Sequence, residues 1–357
     1  MENSIASLRP MRLGEILDQA VRLYRRNFVT FIGIIALIHV PVTLISLGVS
    51  YFTQVYMQEA ALNYDPANPF AIFGSPGYLA SMGGGIFMGF VQLVLVQGVA
   101  AAALTRAVAD SYLGQPAGIL EAYQRIGDSW GRLVMTLLLM MALLMGLAIA
   151  TVFVPCVGWL IGPGLLIFLS MAVNPLVAPS VVIEKQGVGA SLRRAWDLAR
   201  RRFWWLLGFI FILYLFAQLV VAGPTYVLNW LVLLVLGSEI SVNPTILAVV
   251  VAGFVSLTFT LLYLPLQLTA HALVYFDLRV RTEGFDLALL SMQTSGAAPD
   301  MEAIRNLPVQ APSEKVLEWT DVGNFVILTL ALVGLYCLLV SLITIGLLSI
   351  GSLLGGF

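Results

Sequence analysis

Charge-free runs organise this chain. Residues 27–58, 66–105, 133–183, 203–238, 240–276 and 322–357 contain no Asp, Glu, Lys or Arg and are rich in aliphatic and aromatic side chains. A hydrocarbon core of ~30 Å takes about 20 residues of α-helix, so most of these runs exceed one crossing. The run 133–183 holds two helices, with Pro155-Cys156-Val157-Gly158 as the turn between them. In 203–238 the Gly223-Pro224 pair predicts a break, followed by a short surface helix over 226–236, and Asn243-Pro244 restarts the chain. The pattern predicts an all-α, polytopic helical membrane protein. Its seven spans fall at about 28–52, 80–106, 133–154, 159–181, 203–222, 247–274 and 323–350.

The segments between spans carry a second pattern. Leu13-Gly14-Glu15-Ile16-Leu17 through Ala20, Leu23, Arg25 and Arg26 to Phe28 aligns without a gap on Val188-Gly189-Ala190-Ser191-Leu192 through Ala195, Leu198, Arg200 and Arg201 to Phe203. In each copy one helical face is apolar or small: Leu13, Leu17, Ala20 and Tyr24, or Val188, Leu192, Ala195 and Ala199. The other face carries Glu15, Asp18, Arg22 and Arg25, or Arg193, Arg194, Asp197 and Arg201. Such helices lie in the membrane interface. A weaker third copy, Ile119-Leu120-Glu121-Ala122-Tyr123 to Trp130, precedes the third span. The chain therefore reads as three pseudo-repeats, each an amphipathic helix plus two spans. Each ends in an acid shortly before a glycine: Asp110/Gly114, Glu184/Gly187 and Asp277/Gly284. Two spans per unit keep the units parallel, unlike an inverted repeat.

Composition agrees and charge adds orientation. Of 357 residues, 60% are hydrophobic and 10% charged, whereas soluble domains carry about half apolar and about a quarter charged. The mean hydropathy is +0.95. This excludes a secreted disulfide scaffold, a nucleic-acid binder and a disordered chain. All 18 Lys and Arg fall on one side of the seven-span map, while the other side holds only Glu59, Asp65 and Glu239. Cations resist translocation, and this bias sets topology. It predicts a multi-pass protein of the cell membrane with a cytoplasmic N-terminus and an external C-terminus. The first 27 residues lack the apolar core of a signal peptide.

Three stretches carry a family resemblance: Arg9-Pro10-Met11-Arg12-Leu13-Gly14-Glu15-Ile16-Leu17-Asp18 leading to Leu23–Phe28, Ala190–Phe203, and Tyr275-Phe276-Asp277-Leu278-Arg279-Val280-Arg281-Thr282-Glu283-Gly284-Phe285-Asp286-Leu287. Over roughly residues 8–290 they resemble the membrane domain of glycerophosphoryl diester phosphodiesterases, which is shared by stand-alone bacterial membrane proteins. The resemblance implies a membrane fold and a bacterial inner-membrane location. It does not carry the phosphodiesterase activity, which belongs to a separate barrel. The longest hydrophilic stretch, 287–321, is far shorter than the ~200 residues such a barrel needs. The expected organisation is a six-span membrane domain (1–286), a flexible cytoplasmic linker (287–321) with a short helix around 301–306, and an added C-terminal span (322–357).

Candidate chemistry falls into two groups. On the basic side stand Arg25, Arg26, Arg193, Arg194, Arg200, Arg201, Arg202, Asp277, Arg279, Arg281 and Glu283. Asp277/Arg281, Arg279/Glu283 and Arg106/Asp110 are i,i+4 pairs. They read either as an ionic belt tying span ends to amphipathic helices, or as a face for anionic lipid headgroups or a protein partner. Arg200–Trp205 mixes bases and aromatics as interfacial anchors do. Within the spans stand His39, Gln92, Gln97, Gln218 and Gln267, with Asn174 in the fourth span and His271 shallow, just before Asp277. Interhelical hydrogen bonding explains such groups, and so does a polar path. Gly83-Gly84-Gly85 has no following lysine and is no phosphate loop. Two His and two separated Cys give no metal or disulfide framework, and no cofactor is expected.

Two functional readings lead, ahead of a membrane-embedded enzyme, for which no pair of titratable groups shares a depth within the membrane. The first is a non-enzymatic scaffold that docks a partner or anionic lipid at its cytoplasmic face. The second is a transporter or channel for a small or lipidic solute, which requires intramembrane polar side chains to converge on one cavity.

Overall fold

The computed structural model describes residues 10–62, 71–112, 115–236, 244–283 and 315–354, and its regular elements are all helical. Helix α1 (Leu13–Arg26) leads into α2 (Phe28–Leu62). Helix α3 (Pro76–Val91) continues through a π-helical stretch, Gln92–Ala100, into α4 (Ala101–Tyr112). The second unit is α5 (Ile119–Arg125), α6 (Trp130–Phe153), and α7 (Val157–Ile167) joined by π-helical Phe168–Val173 to α8 (Asn174–Glu184). The third is α9 (Val188–Arg201), α10 (Phe203–Ala217) joined by π-helical Gln218–Ala222 to α11 (Gly223–Leu236), and α12 (Pro244–Glu283). Helix α13 (Trp319–Leu354) closes the described chain. Seven stretches are long and apolar enough to cross a membrane, and the order amphipathic helix, span, span recurs three times. The linker positions 284–314, with the short helix expected around 301–306, lie outside the described residues.

One boundary is corrected. The Gly223-Pro224 pair does not break the fifth span: helix runs from Phe203 through the π-helical stretch to Leu236. The Gly223 N–H bonds back to the Gln218 carbonyl, a five-residue step. The Thr225 hydroxyl donates to the Val221 carbonyl at 2.7 Å. A wider turn thus carries the helix past Pro224, whose missing N–H removes a single backbone bond.

The densest packing lies at the end of the bundle where the amphipathic helices gather. There α4, α8 and α12 are buried along Ala100–Leu104, Val181–Ile183 and Ala272–Phe276. At the opposite end the spans present large apolar side chains outward, among them Phe153, Trp159 and Tyr226. Between chains of lipid this exposure costs nothing, because hydrocarbon gives apolar helices no drive to associate. The α6–α7 turn sits at that far end, with Cys156 at φ 64° and ψ −72° and a Val157 N–H to Pro155 carbonyl bond of 2.8 Å.

Helix α13 docks through its first half. Its Phe325 packs with Phe168, Trp196 and Phe203. The Gly164 N–H donates to the Thr329 hydroxyl at 2.9 Å, and a Cβ at Gly164 would strike the Phe325 carbonyl. From Val333 to Ile345 every residue is exposed.

Candidate functional site

The acids that end each unit find their partners on the next unit's amphipathic segment. Asp110, closing α4, is held by Arg125 of α5 at 2.6 Å and by Arg106 at 3.3 Å. Glu184, closing α8, is held by Arg194 of α9 at 3.1 Å. Asp277, near the end of α12, accepts the Met11 N–H at the entry to α1 at 2.8 Å. Arg281 bridges Asp277 at 2.8 Å and the Met11 carbonyl at 2.5 Å. Unit three therefore grips unit one, and the ring closes. The three acids are almost fully buried, so each gains from charge-assisted bonds that water would otherwise supply.

Around Glu184 the ring thickens into a buried cluster. Arg279 lies 3.5 Å from Glu184 and 3.1 Å from Glu283, Arg194 also meets Glu283, and the Tyr275 hydroxyl donates to Glu184. Burial acts to lower the Arg194 pKa, but the Glu184 and Glu283 carboxylates and Tyr275 outweigh it and hold it above the ordinary arginine value. Two phenols lock amphipathic helices to spans: Tyr24 donates to the Leu262 carbonyl at 2.8 Å and Tyr123 to the Ile34 carbonyl at 2.6 Å. Burial pushes the Tyr123 phenol up to about 12, which keeps it a donor.

The candidate surface residues thus divide. Arg194, Arg279, Asp277 and Glu283 lie inside the ring. Arg193 meets Asp197 at 3.4 Å, and Arg200 reaches Asp321 at 3.1 Å, tying α9 to α13. Arg202 stacks over Trp205 at 5.3 Å. On α9 the charged face is partly internal, since Arg194 and Asp197 are buried and Arg194 is held by Glu184 of α8 and Glu283 of α12. On α1 the charged face is outside, and Arg22, Arg25 and Arg26 are exposed.

A polar groove of about 300 Å³ opens between α4, α8, α10 and α12. Its polar lining is Gln97, Thr105, Ser170, Asn174, Tyr214, Gln267 and His271, with no Asp, Glu, Lys or Arg among the described residues. Asn174 lies ten residues above Glu184, about 15 Å at helical rise, so the groove climbs from the charged end to near the bilayer midplane. Gln97, Ser170 and Tyr214 are exposed, whereas His271 is buried with no partner on its Nε2 among the described residues. The groove therefore opens sideways and narrows onto an imidazole.

The backbone explains why polarity gathers here. Gln97 and Ser170 sit on π-helical stretches, which are rare and concentrate at functional positions. Pro175 and Pro179 remove two backbone N–H donors from the same wall.

Of the intramembrane candidates, Gln97 and Gln267 line the groove, while His39, Gln92 and Gln218 do not. His39 is buried on α2. In the sequence Asn174 stands out within its span and His271 falls near the headgroups, whereas Ser170 and Tyr214 carry no such mark. The signal for this wall is Asn174-Pro175 and Pro179 in one span, which removes backbone donors. Among the described residues no group of three or more His, Cys, Asp or Glu gathers as metal ligands. No family model matches the chain, and no curated protein or solved structure does.

Proposed function

We propose that this is a non-enzymatic inner-membrane protein that takes an uncharged, hydrogen-bonding, membrane-borne solute into the groove, as a carrier or transporter of a lipidic molecule would. The single observation behind this reading is the convergence of Gln97, Asn174, Gln267 and the partnerless Nε2 of His271 on one sideways opening. Donors and acceptors left inside hydrocarbon cost several kcal/mol unless satisfied, and a hydroxyl-bearing headgroup satisfies both kinds. A lining without Asp, Glu, Lys or Arg among the described residues suits a neutral group better than a phosphate.

The resemblance to the phosphodiesterase membrane domain belongs to the same proposal, as does the orientation with the charged end in the cytoplasm. The test is photolabelling in proteoliposomes with a photoreactive diacylglycerol. The wild-type protein is expected to be labelled several-fold more than Asn174→Leu or His271→Leu. Equal labelling of all three rules the groove out as the site.

A second reading rests on the exposed Arg22, Arg25 and Arg26 of α1: this edge docks anionic lipid or a protein partner. It expects Arg25→Gln/Arg26→Gln to weaken liposome binding more than Arg200→Gln, because Arg200 is engaged by Asp321.

A further inference from the structure

A second, apolar groove of about 550 Å³ lies on another side of the bundle and shares no residue with the first. Leu143 and Leu165 of the spans form its wall, Leu192 and Trp196 of α9 its floor, and Val316 and Leu317 cross over it. The Trp196 indole N–H donates to the Val316 carbonyl at 2.8 Å, which fixes that crossing. Because α9 is an interfacial helix and its partners are spans, the groove sits where headgroups give way to acyl chains.

Among the described residues Arg193 is the only charged one lining it. The Arg193 side chain keeps 27% of its exposure while meeting Asp197. Exposed Lys315 immediately precedes Val316. A helix is ~10 Å across, so even two turns of one overfill 550 Å³, whereas that volume is ordinary for a small-molecule site. We propose that the groove binds one anionic phospholipid of the charged-end leaflet, an acyl chain against Leu143, Leu165 and Leu192 and the phosphate at Arg193 and Lys315. The lipid then packs beneath the segment that carries α13 onto the bundle.

Gly189 gives a clean probe, because a Cβ there meets no atom within 4 Å although the residue lines the groove. Thermal unfolding of the full chain in mild detergent, titrated with phosphatidylglycerol or phosphatidylcholine, reads the binding. Phosphatidylglycerol is expected to raise the Tm at lower concentration than phosphatidylcholine. Arg193→Gln is expected to lose about fivefold of that preference, and Arg193→Lys to keep it. Gly189→Phe is expected to fill the groove and blunt the response to both lipids. Equal response of the wild type to the two lipids overturns the proposal, as does an unchanged preference in Arg193→Gln. A wild-type response in Gly189→Phe overturns it too. If Gly189→Phe does not fold, the two Arg193 variants decide.

Discussion

At the scale of single residues, strain and burial make opposite demands. Cys156 holds φ 64° and ψ −72° with an i to i+2 hydrogen bond across it, a tight turn that costs an L-residue of order 1–3 kcal/mol. Its thiol is exposed, so replacing it loses no packing. Glycine reaches this conformation without a Cβ clash, at an unfolded-state entropy penalty of roughly 0.5–1 kcal/mol. Cys156→Gly is therefore expected to stabilise the protein by about 1 kcal/mol, seen as a higher midpoint of thermal unfolding in detergent. A lower midpoint would mean that the turn is not strained. Lys185 also has positive φ, 51°, but there the backbone ends α8 in a left-handed cap, a conformation that costs less.

At the scale of elements, the three unit-ending acids do one job in different surroundings, which ranks their loss. Removing Glu184 takes the acceptor of the Tyr275 hydroxyl and leaves Arg194 and Arg279 to share Glu283, all in buried positions. Breaking a buried ionic group from one side costs about 3–5 kcal/mol. Removing Asp110 strands Arg125, which stays about a third exposed and keeps Glu121 at 2.5 Å, so water and that glutamate compensate. Glu184→Ala is expected to lower the unfolding midpoint far more than Asp110→Ala and to speed proteolysis at the exposed Gly187 that precedes α9. Equal penalties would show that the ring is not held by these acids. The acids themselves were legible, each standing shortly before a glycine. Their partners were not: i,i+4 spacing pointed to Arg106 and Arg281, while the cations that tie units together, Arg125 and Arg194, are chosen by the packing of helices that share no local pattern.

At the scale of the whole molecule, the charge-free runs located the seven spans, because a membrane forces length and apolarity on every crossing. The same uniformity hid what lies inside. A span that is apolar all round has no periodic face, so neither the π-helical stretches nor the convergence of Gln97, Asn174, Gln267 and His271 could be read from it. Gly223-Pro224 misled for the same reason, since a lipid-embedded helix re-satisfies a freed carbonyl more readily than it breaks. Orientation rests on the one-sided placement of the 18 Lys and Arg, and the fold supplies the probes to test it. Cys156 is exposed in the α6–α7 turn, at the end opposite the ionic ring, and Gly187 is exposed in the link between α8 and α9 at the ring itself. A membrane-impermeant maleimide added to intact cells is expected to label the native protein at Cys156. In a chain with Cys156→Ser and Cys337→Ser, Gly187→Cys is expected to stay unlabelled until the membrane is permeabilised. The opposite pattern would invert the molecule, placing the exposed Arg25 and Arg26 and the apolar groove in the outer leaflet and removing the argument for the anionic lipids of the cytoplasmic one.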